Sequence, residues 1–214
     1  MRTTRRGLGT ALALASLLLA GCLQGEGPAI SETRAVPAFD RIDAGGGIRV
    51  EVSIGPARPI EVRAQANILP VIDTGVNNSG TLRIEPTDDF VAGEPVTVIV
   101  VVPSLAAITL SGGAQASITG LDADAFEAVL SGGATATISG VSGTVTLSGK
   151  GGAAAMLRDL AVTSAEVTLD GGSTATLQAT EVVDGSVTGG ATLTLIGNPR
   201  VEVQASGGAQ VLNR

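Results

Sequence analysis

The dipeptide Gly-Gly returns through the second half of the chain with matching flanks, and this repeat limits the fold more than any other feature. Its clearest copies are Leu110-Ser111-Gly112-Gly113-Ala114-Gln115-Ala116-Ser117-Ile118 and Leu130-Ser131-Gly132-Gly133-Ala134-Thr135-Ala136-Thr137-Ile138. Leu169-Asp170-Gly171-Gly172-Ser173-Thr174-Ala175-Thr176-Leu177 and Val187-Thr188-Gly189-Gly190-Ala191-Thr192-Leu193-Thr194-Leu195 follow, and Ala205-Ser206-Gly207-Gly208-Ala209 is the last. A degenerate copy, Leu147-Ser148-Gly149-Lys150-Gly151-Gly152-Ala153, reads as a corner bulged by two extra residues. The pairs begin at 112, 132, 151, 171, 189 and 207, in steps of 20, 19, 20, 18 and 18.

Around each pair, apolar residues alternate with Ser, Thr and Gln, as in a strand with one buried face. The pair itself interrupts the alternation, as a corner that needs positive φ would. One copy has too few apolar atoms to form a core, whereas stacked copies bury their stripes on one another. The expected fold is therefore all-β: a parallel β-helix or β-solenoid with about nineteen residues per coil over 105–212. The handedness rule for parallel crossovers makes it right-handed. An antiparallel sandwich would give no reason for the same residue types to recur at the same offset.

The front part, 39–104, reads as less regular β-structure. Ile48 to Ile54 alternates after Gly45-Gly46-Gly47, Ile60 and Val62 follow Pro59, and Leu82 and Ile84 mark another short strand. Val96 to Val102 is an uninterrupted β-branched run, expected to be buried on both faces. Asn77-Asn78-Ser79-Gly80 reads as a turn and Thr87 to Glu94 as a loop.

Residues 1–21 have the layout of an export signal. Arg2, Arg5 and Arg6 precede an apolar stretch, Leu8 to Leu19, too short for a comfortable membrane span. Leu19-Ala20-Gly21-Cys22 resembles the bacterial lipobox, which implies cleavage between Gly21 and Cys22 and acylation of Cys22, the only Cys in the chain. By resemblance to lipoprotein sorting, Leu23 favours the outer membrane. Residues 22–38 are then expected to be a lipidated Cys followed by a flexible tether. Removing residues 1–21 takes three of the 13 basic residues and none of the 20 acidic ones, which leaves a net charge of −10. Anionic headgroups would repel such a body, so the expected membrane contact is the lipid anchor itself.

The same arithmetic excludes function classes. An acidic chain has nothing to attract nucleic acid. Without His there is no Ser-His-Asp or Cys-His catalysis, and a lone Cys leaves no disulfide or Cys-ligated metal. No cofactor is expected, and no catalytic residue stands out.

Phe39-Asp40-Arg41-Ile42, Gly47-Ile48-Arg49-Val50-Glu51-Val52, Leu82-Arg83-Ile84, Val98 to Pro103, the serial Ser-Gly-Gly strands and the closing Gly197-Asn198-Pro199-Arg200-Val201 occur in a telling order. Together, over about 39–212, they resemble the auto-transporter adhesin head GIN domain family. Gly47-Ile48-Arg49 stands where that family has Gly-Ile-Asn, and Ser-Gly-Gly mostly replaces Ser-Gly-Ser-Gly. The resemblance implies a β-helix on the cell envelope and transfers no catalytic residue.

Candidate sites are few. Asp122, Asp124 and Glu127, like Asp88 and Asp89, read as solvated acidic loops rather than calcium ligands. Lys150, Arg158 and Asp159 form the only cluster that a polysaccharide-acting enzyme could use. The outward pairs Thr135/Thr137, Thr174/Thr176 and Thr192/Thr194 form a possible binding face, interrupted at Ala154/Met156. Such a ladder suits a glycan or an envelope protein and, less well, ice. The absence of Trp and Tyr removes the usual platforms for sugar rings. The expected role is thus a non-catalytic envelope lipoprotein presenting a rigid surface, with an adhesin-like module as the alternative. The thinly capped last coil is expected to self-associate.

Overall fold

The computed structural model describes residues 22–214. The signal-like segment, including Gly21, lies outside the described residues. Ten short strands come first: β1 (Leu23–Gln24), β2 (Ala29–Arg34), β3 (Arg41–Ala44), β4 (Arg49–Ile54), β5 (Ile60–Gln65), β6 (Ile72–Val76), β7 (Thr81–Pro86), β8 (Phe90–Val91), β9 (Thr97–Val102) and β10 (Ala107–Leu110). Then β11 (Gln115–Leu130), β12 (Thr135–Gly149), β13 (Ala154–Leu169) and β14 (Thr174–Val187) each carry the chain most of the way round a coil. β15 (Thr192–Ile196), β16 (Arg200–Ala205) and β17 (Gln210–Asn213) complete the stack. The C-terminal half is a β-solenoid of about five turns.

Each coil turns at the Gly-Gly pair. Both glycines have positive φ, +61° and +78° at Gly132 and Gly133. The amide of Ala134 donates to the carbonyl of Ser131 at 3.2 Å. Two successive positive φ values under an i+3 to i hydrogen bond make a type I′ turn. The first glycine is required twice over, because a Cβ on Gly132 would also stand 3.3 Å from the amide nitrogen of Gly112 in the coil below. The second glycine faces open space.

The corners fix the register of everything between them. Leu110 lies beside Leu130, Leu130 beside Gly149, Gly149 beside Leu169, and Leu169 beside Val187, in parallel ladders. A second column, Ile118, Ile138, Leu157, Leu177 and Leu195, is at most 1% exposed. Alanines 116, 136, 155 and 175 line the crowded interior near the corner. Each large aliphatic side chain buried this way contributes about 1.5–3 kcal/mol, so the columns rather than the loops hold the stack.

Four expectations are corrected. The degenerate corner holds no inserted bulge: Gly149 simply takes the place of Leu130, with Lys150 N donating to Leu130 O at 3.0 Å and Asp170 N to Gly149 O at 2.9 Å. Leu169 fills the vacated space, its Cδ2 standing 2.8 Å from where a Gly149 Cβ would be, and the buried Ser173 Oγ donates to Gly149 O at 3.1 Å. Val96–Val102 is not buried on both faces. In β9 only Val98, Val100 and Val102 are buried, because a strand in a one-layered wall has one inner side. The segment Leu23–Ala38 is not a free tether: β2 runs antiparallel to β5, and β1 pairs with β8. The same pairing places a strand inside the expected loop Thr87–Glu94. The partners of these pairings lie some 30 to 70 residues away, so no local pattern announces them.

Nor does the sheet break at residue 104. β3, the corner Gly45–Gly47 and β4 form a coil beneath β10 and β11, with Leu110 beside Ala44 and Ala116 beside Val50. The turn at Asn77 is as expected, its Oδ1 accepting from the amides of Ser79 and Thr81.

A glycine series tests the corner. Gly132→Ala should cost about 1–2 kcal/mol for its left-handed φ, and Gly133→Asn markedly less, since Asn tolerates that region. Gly140→Ala should be worse than either, because its Cβ would stand 2.0 Å from the carbonyl oxygen of Leu121. Urea unfolding of the three variants checks this order.

Candidate functional site

The Thr pairs lie on one outward face, and the register makes that face longer than the sequence alone suggests. One row runs Ser31, Arg63, Thr97, Arg49, Gln115, Thr135, Ala154, Thr174, Thr192 and Gln210 across ten neighbouring strands. The row two residues along runs Thr33, Glu61, Ile99, Glu51, Ser117, Thr137, Met156, Thr176, Thr194 and Leu212. Ten strands at the usual spacing span about 43 Å. The face thus has a hydroxyl part on the coils and a charged part on β4 and β5, with Thr97 and Ile99 of β9 between them. Ala154 and Met156 interrupt the hydroxyl part, and Met156 is 45% exposed.

The charged part is what reading the repeat missed. Arg49 and Arg63 flank Thr97, while Glu51 and Glu61 flank Ile99. Arg49, Glu51, Arg63, Thr97 and Ile99 line a shallow recess of about 280 Å³ together with Glu94 and Pro95. Arg49 Nη2 donates to Gln115 Oε1 at 3.4 Å, which links the two parts of the face. The alternation Arg49-Val50-Glu51 and the corner Gly45–Gly47 were the available signals. An irregular spacing from the later corners hid them.

The other candidates do not assemble. Lys150 stands in the corner column between Ser131 and Asp170, whereas Arg158 and Asp159 lie beyond the stretch Ala154–Leu157. No hydrogen bond or ion pair joins the three among the described residues. Asp122 and Asp124 edge a shallow groove with Ser142, Gly143 and Thr163, while Glu127 turns away to pair with Arg41 at 3.4 Å. Among the described residues, no group of three or more Asp, Glu or Cys side chains is placed to hold a metal ion. Asp89 contributes its backbone, accepting from Leu23 N at 3.1 Å, and Asp88 is exposed. Asp170 is structural: its Oδ1 accepts from Gly171 N at 2.8 Å and from Thr188 Oγ1 at 2.9 Å.

Two further features lie at the front end. An apolar recess of about 320 Å³ is lined by Val36, Pro37, Phe39, Pro59, Val102 and Pro103, with Arg58 at its rim. Cys22 is exposed at the opposite end of the β2–β5 pair, one residue before β1. Two amides fasten the strand beyond it. Gln65 donates to Gly27 O at 2.7 Å and accepts from Gly93 N at 2.8 Å. Asn67 donates to Gln24 O at 2.7 Å and accepts from Glu26 N at 3.0 Å.

This architecture is a parallel β-solenoid with antiparallel strands at its front end. The family model described as "Putative auto-transporter adhesin, head GIN domain" matches residues 38–199, and the chain belongs to that family. A solved structure described as a putative adhesin, from Bacteroides fragilis NCTC 9343, aligns with a TM-score of 0.73 at 19% identity, over 90% of this chain and 100% of that one. Another so described, from Parabacteroides merdae ATCC 43184, aligns with a TM-score of 0.58 at 15% identity, over 91% and 100%. A third, described as a putative lipid binding protein from Parabacteroides distasonis ATCC 8503, gives 0.56 at 13% identity, over 91% and 100%. Likeness at this level of identity shows the shared fold. No curated protein matches the chain. The family is adhesin-like and points to the cell envelope or surface. Among the described residues no helix is long and apolar enough to cross a membrane.

The fastening of β1 can be tested without touching the solenoid. Asn67→Ala removes two hydrogen bonds of about 1 kcal/mol each, so amide exchange at Gln24–Glu26 should speed up by about tenfold or more. Exchange at Ile138 and Leu157 should stay as slow as in the parent chain.

Proposed function

We propose that this chain is a non-catalytic lipoprotein of the cell envelope that uses its outward ladder as a rigid interaction surface. The observation that carries this reading is the face itself: two mostly polar rows in continuous register through ten strands, interrupted by Ala154 and Met156. A rigid scaffold pays little ordering entropy when a long partner lies along it, so even weak contacts add up. The adhesin-like form of this reading has a linear glycan or another envelope protein lying across the hydroxyl part, with Arg49 and Arg63 at one end. Hydroxyl rows offer donors and acceptors at a repeating spacing, and the charged end gives the partner a direction along the face.

The anchor is the acylated Cys22, with the chain cut after Gly21. Since β1 starts at the next residue and is bonded to the body, the lipid holds the solenoid against the bilayer surface with no spacer between them. Leu23, rather than an acidic residue, favours the outer membrane as the site.

Two measurements check this reading. The parent chain produced in a bacterium should partition into detergent and take up labelled palmitate. Cys22→Ala should remain in the aqueous phase, and equal partitioning of the two would remove the anchor. On a glycan array, any glycan bound should be lost by Thr135→Lys with Thr174→Lys and kept by Lys150→Ala with Arg158→Ala. An array with no binding leaves an envelope protein as the partner.

A further inference from the structure

The end of β2 is a fixed point. The Arg34 guanidinium donates to the carbonyl oxygens of Ile72 and Leu69 and to Thr74 Oγ1, at 2.5, 2.9 and 3.1 Å. From there residues 35–39 run to β3 and form one wall of the apolar recess at the front end. The other walls are the loop after β4 and the end of β9. Gly55 N donates to Val102 O at 2.8 Å and Arg58 N to Val101 O at 3.3 Å, so those two walls are tied together. Among the described residues, no hydrogen bond ties residues 35–39 to either of them.

The walls select what could lie between them. Pro37, Pro59 and Pro103 carry no N–H, and Val36, Phe39 and Val102 offer only hydrocarbon side chains. A peptide strand laid here would find few donors for its carbonyls, and burying those unpaired is costly. An alkyl chain has no such need, and each methylene taken out of water raises affinity about fourfold. Ordinary ligand sites measure about 300–1,000 Å³, so a recess of about 320 Å³ suits one chain rather than the two of a membrane phospholipid. Arg58 is the one charged residue of the lining. It is exposed and enters no ion pair among the described residues, whereas Arg34, Arg41, Arg83 and Arg200 each meet a glutamate. A guanidinium at the mouth of an apolar slot is complementary to a carboxylate on an alkyl tail.

We propose that this recess binds a free fatty acid, its alkyl chain against Phe39, Val36 and the prolines and its carboxylate on Arg58. The acyl chain expected on Cys22 is not this ligand: Cys22 precedes β1, and the six residues of β2, about 20 Å of strand, lie between it and the recess. The site is separate from the outward ladder, and the proposal does not rest on the reading given to that face.

Calorimetric titration with dodecanoate tests this on the full chain carrying Cys22→Ala, which keeps the anchor out of the measurement. One equivalent should bind, and decanoate, two methylenes shorter, should bind about sixteenfold more weakly. Arg58→Glu should weaken dodecanoate by about tenfold and leave dodecanol unchanged, because only the carboxylate meets the guanidinium. Ala38→Trp, at an exposed wall position where a large side chain fills the recess, should block both ligands. Arg63→Glu, on the outward face, should alter neither. No binding of dodecanoate, or binding that either Arg58→Glu or Ala38→Trp leaves unchanged, would overturn the proposal. Attachment to phosphatidylglycerol vesicles in place of dodecanoate binding would overturn it too, and would make the ligand a bilayer lipid.

Discussion

The structure depends on glycine stacked against glycine. At each corner the chain must take two successive left-handed residues, and the first must leave the place of a Cβ empty for the coil beneath, as Gly132 does where the Gly112 nitrogen lies 3.3 Å from that place. An L-residue meets a strain in the first requirement and a contact in the second. Once the corner is fixed, the strand leaving it can only lie in register with the strand below, since a slip of one residue would turn every buried side chain outward. The aliphatic columns follow from that register. They supply most of the favourable free energy, but they do not choose the alignment.

The same constraint shapes the outer surface. If equal offsets stack inside, equal offsets also stack outside, so the wall carries rows rather than patches. Rows of Ser, Thr and Gln arise on the coils because these residues suit a solvated strand face. The charged residues on β4 and β5 arise where the repeat loosens. A surface of this kind offers length and regularity, whereas catalysis needs several groups converging on one point. Lys150, Arg158 and Asp159 illustrate the difficulty, since the strand between them holds them apart.

The repeat made the C-terminal half legible because its signal is local: corner, alternation and spacing all lie within one coil. The columns through Leu110, Leu130 and Leu169 and the Thr pairs on one face could be placed from those offsets. The front half resisted because its coils are interrupted. β3 and β4 flank a proper corner, yet the strands that stack on them, β7, β9 and β10, come after excursions through β5 and β6. Segment 22–38 failed for a related reason. Its Gly, Pro and acids look like a linker, and what orders it is pairing with β5 and β8, together with the side chains of Gln65 and Asn67, some forty residues on. Gly149 misled in the opposite sense, because a missing side chain in one column was made good by Leu169 from the next coil.

By itself, then, the sequence determined that the chain is all-β, that it winds in coils of about nineteen residues, which residues face inward on each repeat, and which catalytic and metal chemistries it lacks the residues to perform. Those properties follow from residue type and short spacing. Only the tertiary structure decided how far the outward face extends, that Arg49 and Arg63 belong to it, that the strand after Cys22 is fastened to the body, and that Arg34 clamps β2 to β6 at the front. Each of these depends on pairing between strands distant in sequence, where partners are chosen by the fit of whole faces rather than by any pattern within a single strand.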